Sequence, residues 1–156
     1  MRTFSRSRAR AERPGGTDRG LEFLRVLWAL NHALETHSRR MQRTLGVTGR
    51  ERIVIRLVGS TPRASAGDLA RTLHVDPSSL TALLGRLVRR RLIRRSTHPD
   101  DSRRAVLELT TRGSSVNALK RGTVEAQVKK VVDRATPGEV AAAAGLLGRL
   151  IDSLER

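Results

Sequence analysis

The chain of 156 residues contains no cysteine. That absence excludes disulfides, zinc fingers, iron–sulfur ligation and thiol-based redox sensing together. Aromatic residues make up only 2%. The core must then come from Leu, Val, Ile and Ala, which favours packed helices over a sandwich and leaves little with which to stack single-stranded bases. No apolar run approaches a membrane span, and the N-terminus lacks the apolar stretch of a signal peptide, so a cytoplasmic protein without a membrane partner is expected. His32, His37, His74 and His98 are scattered and show no His-Glu-x-x-His spacing. Ser65, Ser78 and Ser79 sit in no Gly-x-Ser-x-Gly turn, and Gly15-Gly16 is no phosphate loop. Catalysis, a metal and a cofactor all lack support.

What is present is positive charge. The formal net charge is +16, from 31 basic against 15 acidic residues. Only Lys120, Lys129 and Lys130 are lysines. Codon bias can exchange Lys for Arg, but it does not create a twofold excess of bases, so a polyanionic partner is indicated. The length suits one domain with a real core.

Residues 1–19 carry six Arg, two acids and Pro14-Gly15-Gly16, and read as a disordered basic arm. Such an arm either enters a minor groove or only raises non-specific affinity. A long helix is expected from Leu21, with Leu24, Leu27, Trp28, Leu34 and Met41 on one face and Gly46 as its stop. Trp28 and His32 lie four apart on it; they either line a small-molecule pocket or pack ordinarily. Thr48-Gly-Arg-Glu51 is a capping box opening a helix through Ile53, Val54, Leu57 and Val58 to Gly59. After a turn at Ser60-Thr-Pro62, Arg63-Ala64 is expected to add a short strand. Ser65 then caps a helix from Ala66 to about Leu73, with Asp68 at its third position.

Asp76-Pro77 starts the helix that organises the chain, the Asp side chain accepting free N–H groups and Pro presetting φ. Leu80, Leu83, Leu84 and Leu87 form its apolar stripe. Its other face carries Ser78, Ser79, Thr81, Ala82, Gly85, Arg86 and Arg89. A sticky back with a short, hydrogen-bonding front suits a DNA major groove. Together with the preceding short helix it reads as a helix-turn-helix. Leu92–Ser96 and Arg104–Leu109 suit strands, and the Pro- and Asp-containing segment 97–103 between them suits a basic wing tip. One long helix is expected from Thr110 or Thr111 to about Arg134. A last helix opens at the capping box Thr136-Pro-Gly-Glu139, with Val140, Ala143, Leu147, Leu150, Ile151 and Leu154 in a seam. No later element covers that seam, which points to a homodimer.

This order of elements resembles the MarR family of bacterial winged-helix regulators, from about Leu21 to Leu154. His98-Pro-Asp-Asp-Ser-Arg-Arg-Ala-Val-Leu-Glu-Leu-Thr-Thr-Arg-Gly113 is similar to the family's wing pattern, with Asp101, Arg103, Leu109, Thr110 and Gly113 in its positions. Val75-Asp76-x-Ser78-x-x-Thr81 resembles the start of its recognition helix. Arg91 departs from the pattern, standing where the family usually has Gly. The resemblance implies two recognition helices in successive major grooves of a pseudopalindrome, and repression relieved by a small effector. It also implies a pocket near the dimerising helices, for which Trp28, His32 and Arg56 are guesses.

The expected fold is therefore mainly α: a winged helix-turn-helix lobe at about 48–110, with dimerisation helices at about 20–45 and 111–155. The whole 20–156 domain follows the arm. Pro77, Ser78, Ser79, Thr81, Ala82 and Arg86 are the expected groove readers, Arg86 being suited to guanine. From Pro62 to Arg104 ten Arg face four Asp. Of these, Arg63, Arg89, Arg90, Arg94, Arg95 and Arg104 are expected along phosphates or in solvent. Arg103 either enters a minor groove or pairs with Asp101 to shape the wing. The function expected is sequence-specific double-stranded DNA binding that regulates transcription. A structural nucleoid or RNA-binding protein without sequence choice is the alternative.

Overall fold

The computed structural model describes residues 18–61, 63–98 and 101–156, with the side chains of 98 and 101–104 left aside. Most of the basic arm, Pro62, and the side chains of Asp101, Arg103 and Arg104 therefore lie outside the described residues. The elements run α1 (Arg19–Leu45), α2 (Gly49–Ser60), α3 (Ala66–Leu73), α4 (Pro77–Arg89), β1 (Ile93–His98), β2 (Asp101–Leu109), α5 (Thr111–Ala118), α6 (Val124–Val132) and α7 (Pro137–Leu154). The chain divides into two compact units, 1–33 and 34–156. Helices α3 and α4 with the β1–β2 hairpin make a winged helix-turn-helix.

Local chemistry sets most of the boundaries. Thr48 and Glu51, Ser65 and Asp68, and Thr136 and Glu139 each form a reciprocal capping box, satisfying N–H groups that a helix start leaves free. Gly46 ends α1 at φ 74°, a left-handed turn that costs glycine little. Asp76 occupies the cap position of α4, but its carboxylate makes no capping bond, in contrast to the expectation; Pro77 at the first turn supplies the start by its fixed φ.

The core of the second unit lies beneath α4. Leu80, Leu83, Leu84 and Leu87 are all buried, against Val54, Ile55 and Val58 of α2, Leu69 of α3, and Leu92, Ile93 and Leu107 of the wing base. Each buried Leu or Ile contributes about 1.5–3 kcal/mol relative to exposure. The wing strands pair antiparallel from Ile93↔Leu109 to Thr97↔Ala105, with a register shift before His98↔Asp101. They are longer than the segments expected from sequence. The short strand expected at Arg63-Ala64 does not form. Arg63 sits at φ 59°, which turns the backbone out of the extended region, and the Ala64 carbonyl meets β2 by accepting the Leu107 N–H at 2.9 Å.

The single long helix expected from Thr111 to Arg134 is broken. Val116, Leu119, Val124 and Val128 are spaced by three, five and four residues, and the five-residue step, which departs from a continuous helical face, falls at the interruption. Leu119 leaves helical geometry, Gly122 turns at φ 72°, and the fully buried Thr123 restarts α6 by accepting the Ala126 N–H. At the break the Val116 carbonyl accepts the Leu119 N–H at 3.2 Å, and carbonyls at this helix end keep accepting capacity to spare. The Arg52 guanidinium, 2% exposed, takes them up: it donates to the carbonyls of Val116, Asn117 and Leu119 and to the Glu125 carboxylate.

No residue of α6 or α7 is buried, and on α1 only Met41 is. Trp28, Leu21, Val131 and Leu154 stand more than half exposed. The apolar residues read from the sequence on these helices are left exposed among the described residues.

Candidate nucleic-acid interface

The face of α4 opposite its Leu stripe carries Ser78, Ser79, Thr81, Ala82, Arg86 and Arg89, all exposed. They follow helical spacing, so one side of the helix presents hydroxyls, a methyl and guanidinium groups in a single strip. Pro77 is exposed at its leading end. No acid lies within the first turn of α4, and the one carboxylate at its start is that of the cap residue Asp76.

The turn that delivers α4 is tight. His74 adopts a left-handed conformation at φ 49°, and the N–H groups of His74 and Val75 return to the carbonyls of Arg71 and Ala70. At the other end, Arg91 is also left-handed, at φ 54°, with the Leu92 N–H reaching back to the Leu87 carbonyl at 3.0 Å. This is the position where the sequence pattern suggested Gly, and the backbone keeps the glycine-type turn with an Arg in it.

Arg90 closes the far end of α4 onto α2. Its guanidinium donates to both carboxylate oxygens of Glu51 at 3.0 and 2.9 Å and to the Gly46 carbonyl. The Glu51 carboxylate also accepts the Thr48 N–H at 2.9 Å, so one buried acid both caps α2 and holds α4. The sequence reading saw Glu51 only as a cap. In the run Arg89-Arg90-Arg91 it is Arg90 that turns inward while its two neighbours are exposed, and nothing in the sequence spacing separates the three.

Along the wing, Arg94 and Glu108 stand directly opposite and pair at 2.8 Å, both substantially exposed. Arg95 is exposed on β1. Arg91, Arg94, Arg95 and Arg112 rim an open groove of about 730 Å³ whose floor includes Val88 and Ile93. Arg63 lies on the turn before α3 and Arg89 on the open face of α4; the backbone of Asp101, Arg103 and Arg104 belongs to β2. Trp28 and His32 are exposed on α1 in the first unit, whereas Arg56 is exposed on α2 in the second and donates to the Asn117 side chain at 3.3 Å. None of these three lines the groove.

Two acids elsewhere have altered affinities for protons. Hydrogen bonds from the Ser65 side chain and from Arg71 hold the Asp68 carboxyl below its ordinary value. The Thr136 N–H and hydroxyl do the same for Glu139. Both belong to caps and neither faces the α4 strip. Among the described residues no helix is long and apolar enough to cross a membrane, and no cluster of His, Asp or Glu could hold a metal ion.

Comparison with known proteins follows this geometry. A MarR family model matches residues 45–104, the segment from α2 into the wing. A candidate transcriptional regulatory protein for the hcr operon of Thauera aromatica is 30% identical over 118 residues, covering 76% of this chain and 71% of that protein. Among solved structures, Sco3205, a MarR family transcriptional regulator from Streptomyces coelicolor solved in complex with DNA, superposes with a TM-score of 0.73 at 24% identity, over 93% of each chain. Streptococcus pneumoniae FabT, also in complex with DNA, superposes with a TM-score of 0.63 at 25% identity, over 88% of this chain and 96% of that one. With its winged helix-turn-helix and that curated relative in agreement, the chain belongs to the MarR family of transcriptional regulators.

Proposed function

We propose that the protein binds a pseudopalindromic operator in double-stranded DNA as a homodimer and represses transcription there. The observation that carries this reading is the exposed strip of α4, Pro77 to Arg89, free of acids and backed by four buried leucines. In this reading Ser78, Ser79, Thr81 and Ala82 meet base edges or adjoining phosphates, and Arg86 forms the bidentate contact to guanine. Arg63, Arg89, Arg94 and Arg104 neutralise phosphates, and at the wing Arg103 either enters the adjacent minor groove or pairs with Asp101 to shape the wing. Arg90, expected from the sequence along phosphates or in solvent, serves instead to hold α4 through Glu51.

The homodimer rests on the uncovered apolar residues of α1, α6 and α7, including Trp28, Val131 and Leu154. Exposed apolar surface of this extent is what a second copy would remove from water. In this reading a small molecule releases the operator, with Trp28 and His32 in the first unit and, separately, Arg56 in the second as candidate contacts.

Competition tests the reading. A regulator keeps a retarded complex on its own promoter at about 150 mM salt against excess random duplex, because base contacts survive where counterion release alone does not. A complex lost in step with random duplex identifies a non-specific architectural protein instead. Analytical ultracentrifugation at micromolar concentration showing only monomer removes the homodimer.

A further inference from the structure

Arg52 is the only buried Arg or Lys among the described residues. A buried guanidinium is costly unless nearly every N–H finds an acceptor. Here its Nε meets Glu125 Oε1 at 2.6 Å, Nη2 meets the carbonyls of Asn117 at 3.1 Å and Leu119 at 2.6 Å, and Nη1 meets the Val116 carbonyl. The acceptors come from two helices. Three are carbonyls at the end of α5, that of Val116 also accepting the Leu119 N–H at 3.2 Å, and the fourth lies in the first turn of α6. The planar fork spans the break, which the compact ammonium of a lysine cannot do. Arg52 follows Glu51, whose carboxylate holds Arg90 at the end of α4. Two adjacent residues of α2 thus join the end of α4 to the junction from which α6 and α7 depart.

We propose that Arg52 is a positioning residue that sets the direction of α6 and α7 relative to α4, and thereby the operator half-site spacing the dimer accepts. This rests on the DNA-binding homodimer proposed above. Adding one base pair between half-sites rotates the second by about 35° around the duplex, so a stiff joint should reject it by about tenfold, and a loose joint should tolerate it. The Gly122 turn and the Thr123 cap fix where the break lies; Arg52 and Glu125 fix its angle.

The test compares wild type with Arg52→Lys and Glu125→Gln on operators whose spacer is lengthened or shortened by one base pair. Single half-site duplexes and hydrogen exchange at 119–126 in the free protein accompany it. The expected result is wild-type discrimination of about tenfold falling to within about threefold, with half-site affinity unchanged and protection at 119–126 reduced. Retained spacing selectivity in both variants overturns the proposal. So does a fall in half-site affinity that accounts for the whole loss, since Arg52 would then merely support the DNA-binding lobe. Arg52→Met removes every donor and is the severe form; if it fails to fold, the other two variants decide. Failure of wild type to prefer any operator over random duplex refutes the DNA reading itself, and unchanged exchange at 119–126 in the variants refutes the joint independently of DNA.

Discussion

Replacing Gly113 by Ala separates helix propensity from tertiary packing by the sign of its effect. Gly113 lies in the first turn of α5, buried, with its N–H on the Thr110 hydroxyl at 3.0 Å. In an open helix, Gly→Ala is favourable by about 0.8–1 kcal/mol. A Cβ at this position, however, would fall 1.9 Å from the Leu92 carbonyl oxygen and 2.9 Å from its carbon. Both are backbone atoms, and Leu92 is itself 1% exposed, so neither partner can rotate away. The first turn of α5 must withdraw from the base of β1. That movement stretches the Thr110 N–H bond to the Leu92 carbonyl, now 3.2 Å. Overpacking of about 1–3 kcal/mol and a lost hydrogen bond of about 1 kcal/mol outweigh the propensity gain, leaving a net loss of about 2 kcal/mol. For a chain of this size the melting midpoint should fall by about 4–8 °C, at matched protein concentration because dimerisation contributes to apparent stability. The control is Gly138→Ala, where an added Cβ meets nothing within 4 Å. It should be stabilising, by about 0.4–1 kcal/mol. Thermal and urea melts followed by circular dichroism measure both. A Gly113→Ala protein as stable as wild type, or more so, would refute the packing argument.

Arg86→Ala should cost about 1–3 kcal/mol on the preferred operator and much less on an operator altered at the contacted base; a uniform loss across sequences would assign it to phosphate. Arg91→Gly relieves a left-handed arginine and should raise stability by about 1 kcal/mol in urea titrations, and an unchanged or lower midpoint would show that Arg91 makes compensating contacts. The acids Asp68 and Glu139 are both held below their ordinary values in the folded chain. Their contribution to stability is therefore complete above the ordinary carboxylate range and is lost as pH falls through the lowered folded values. An Asp68→Asn, Glu139→Gln double variant should lose less of its urea midpoint than wild type between pH about 5 and 2, whereas parallel curves would mean these caps carry no proton linkage.

Much of this architecture was legible because its causes are local. A capping box needs only two side chains three residues apart, and the boxes at Thr48, Ser65 and Thr136 all formed. The Leu stripe of α4 and the antiparallel wing likewise follow from spacing and turn chemistry. Arg52 was missed although a signal existed: it lies in phase with Ile55 on the buried face of α2, where an arginine calls for buried acceptors. Those acceptors belong to residues 64 to 73 positions further on, which no local pattern can supply. A separation of 39 residues likewise hides Glu51 from Arg90.

By itself, the sequence determined where most of the helices begin, which side of α4 is apolar, which residues line its open face and how strongly basic the molecule is. Those properties arise from neighbours within one helical turn or from summed composition. Tertiary structure decided which of the consecutive arginines is withdrawn into an ion pair, that the helix after the wing is broken, and that a glycine is demanded at 113. Each of these depends on groups far apart in the chain, and only folding brings the buried donor, the helix-end carbonyl or the crowding backbone oxygen to its partner.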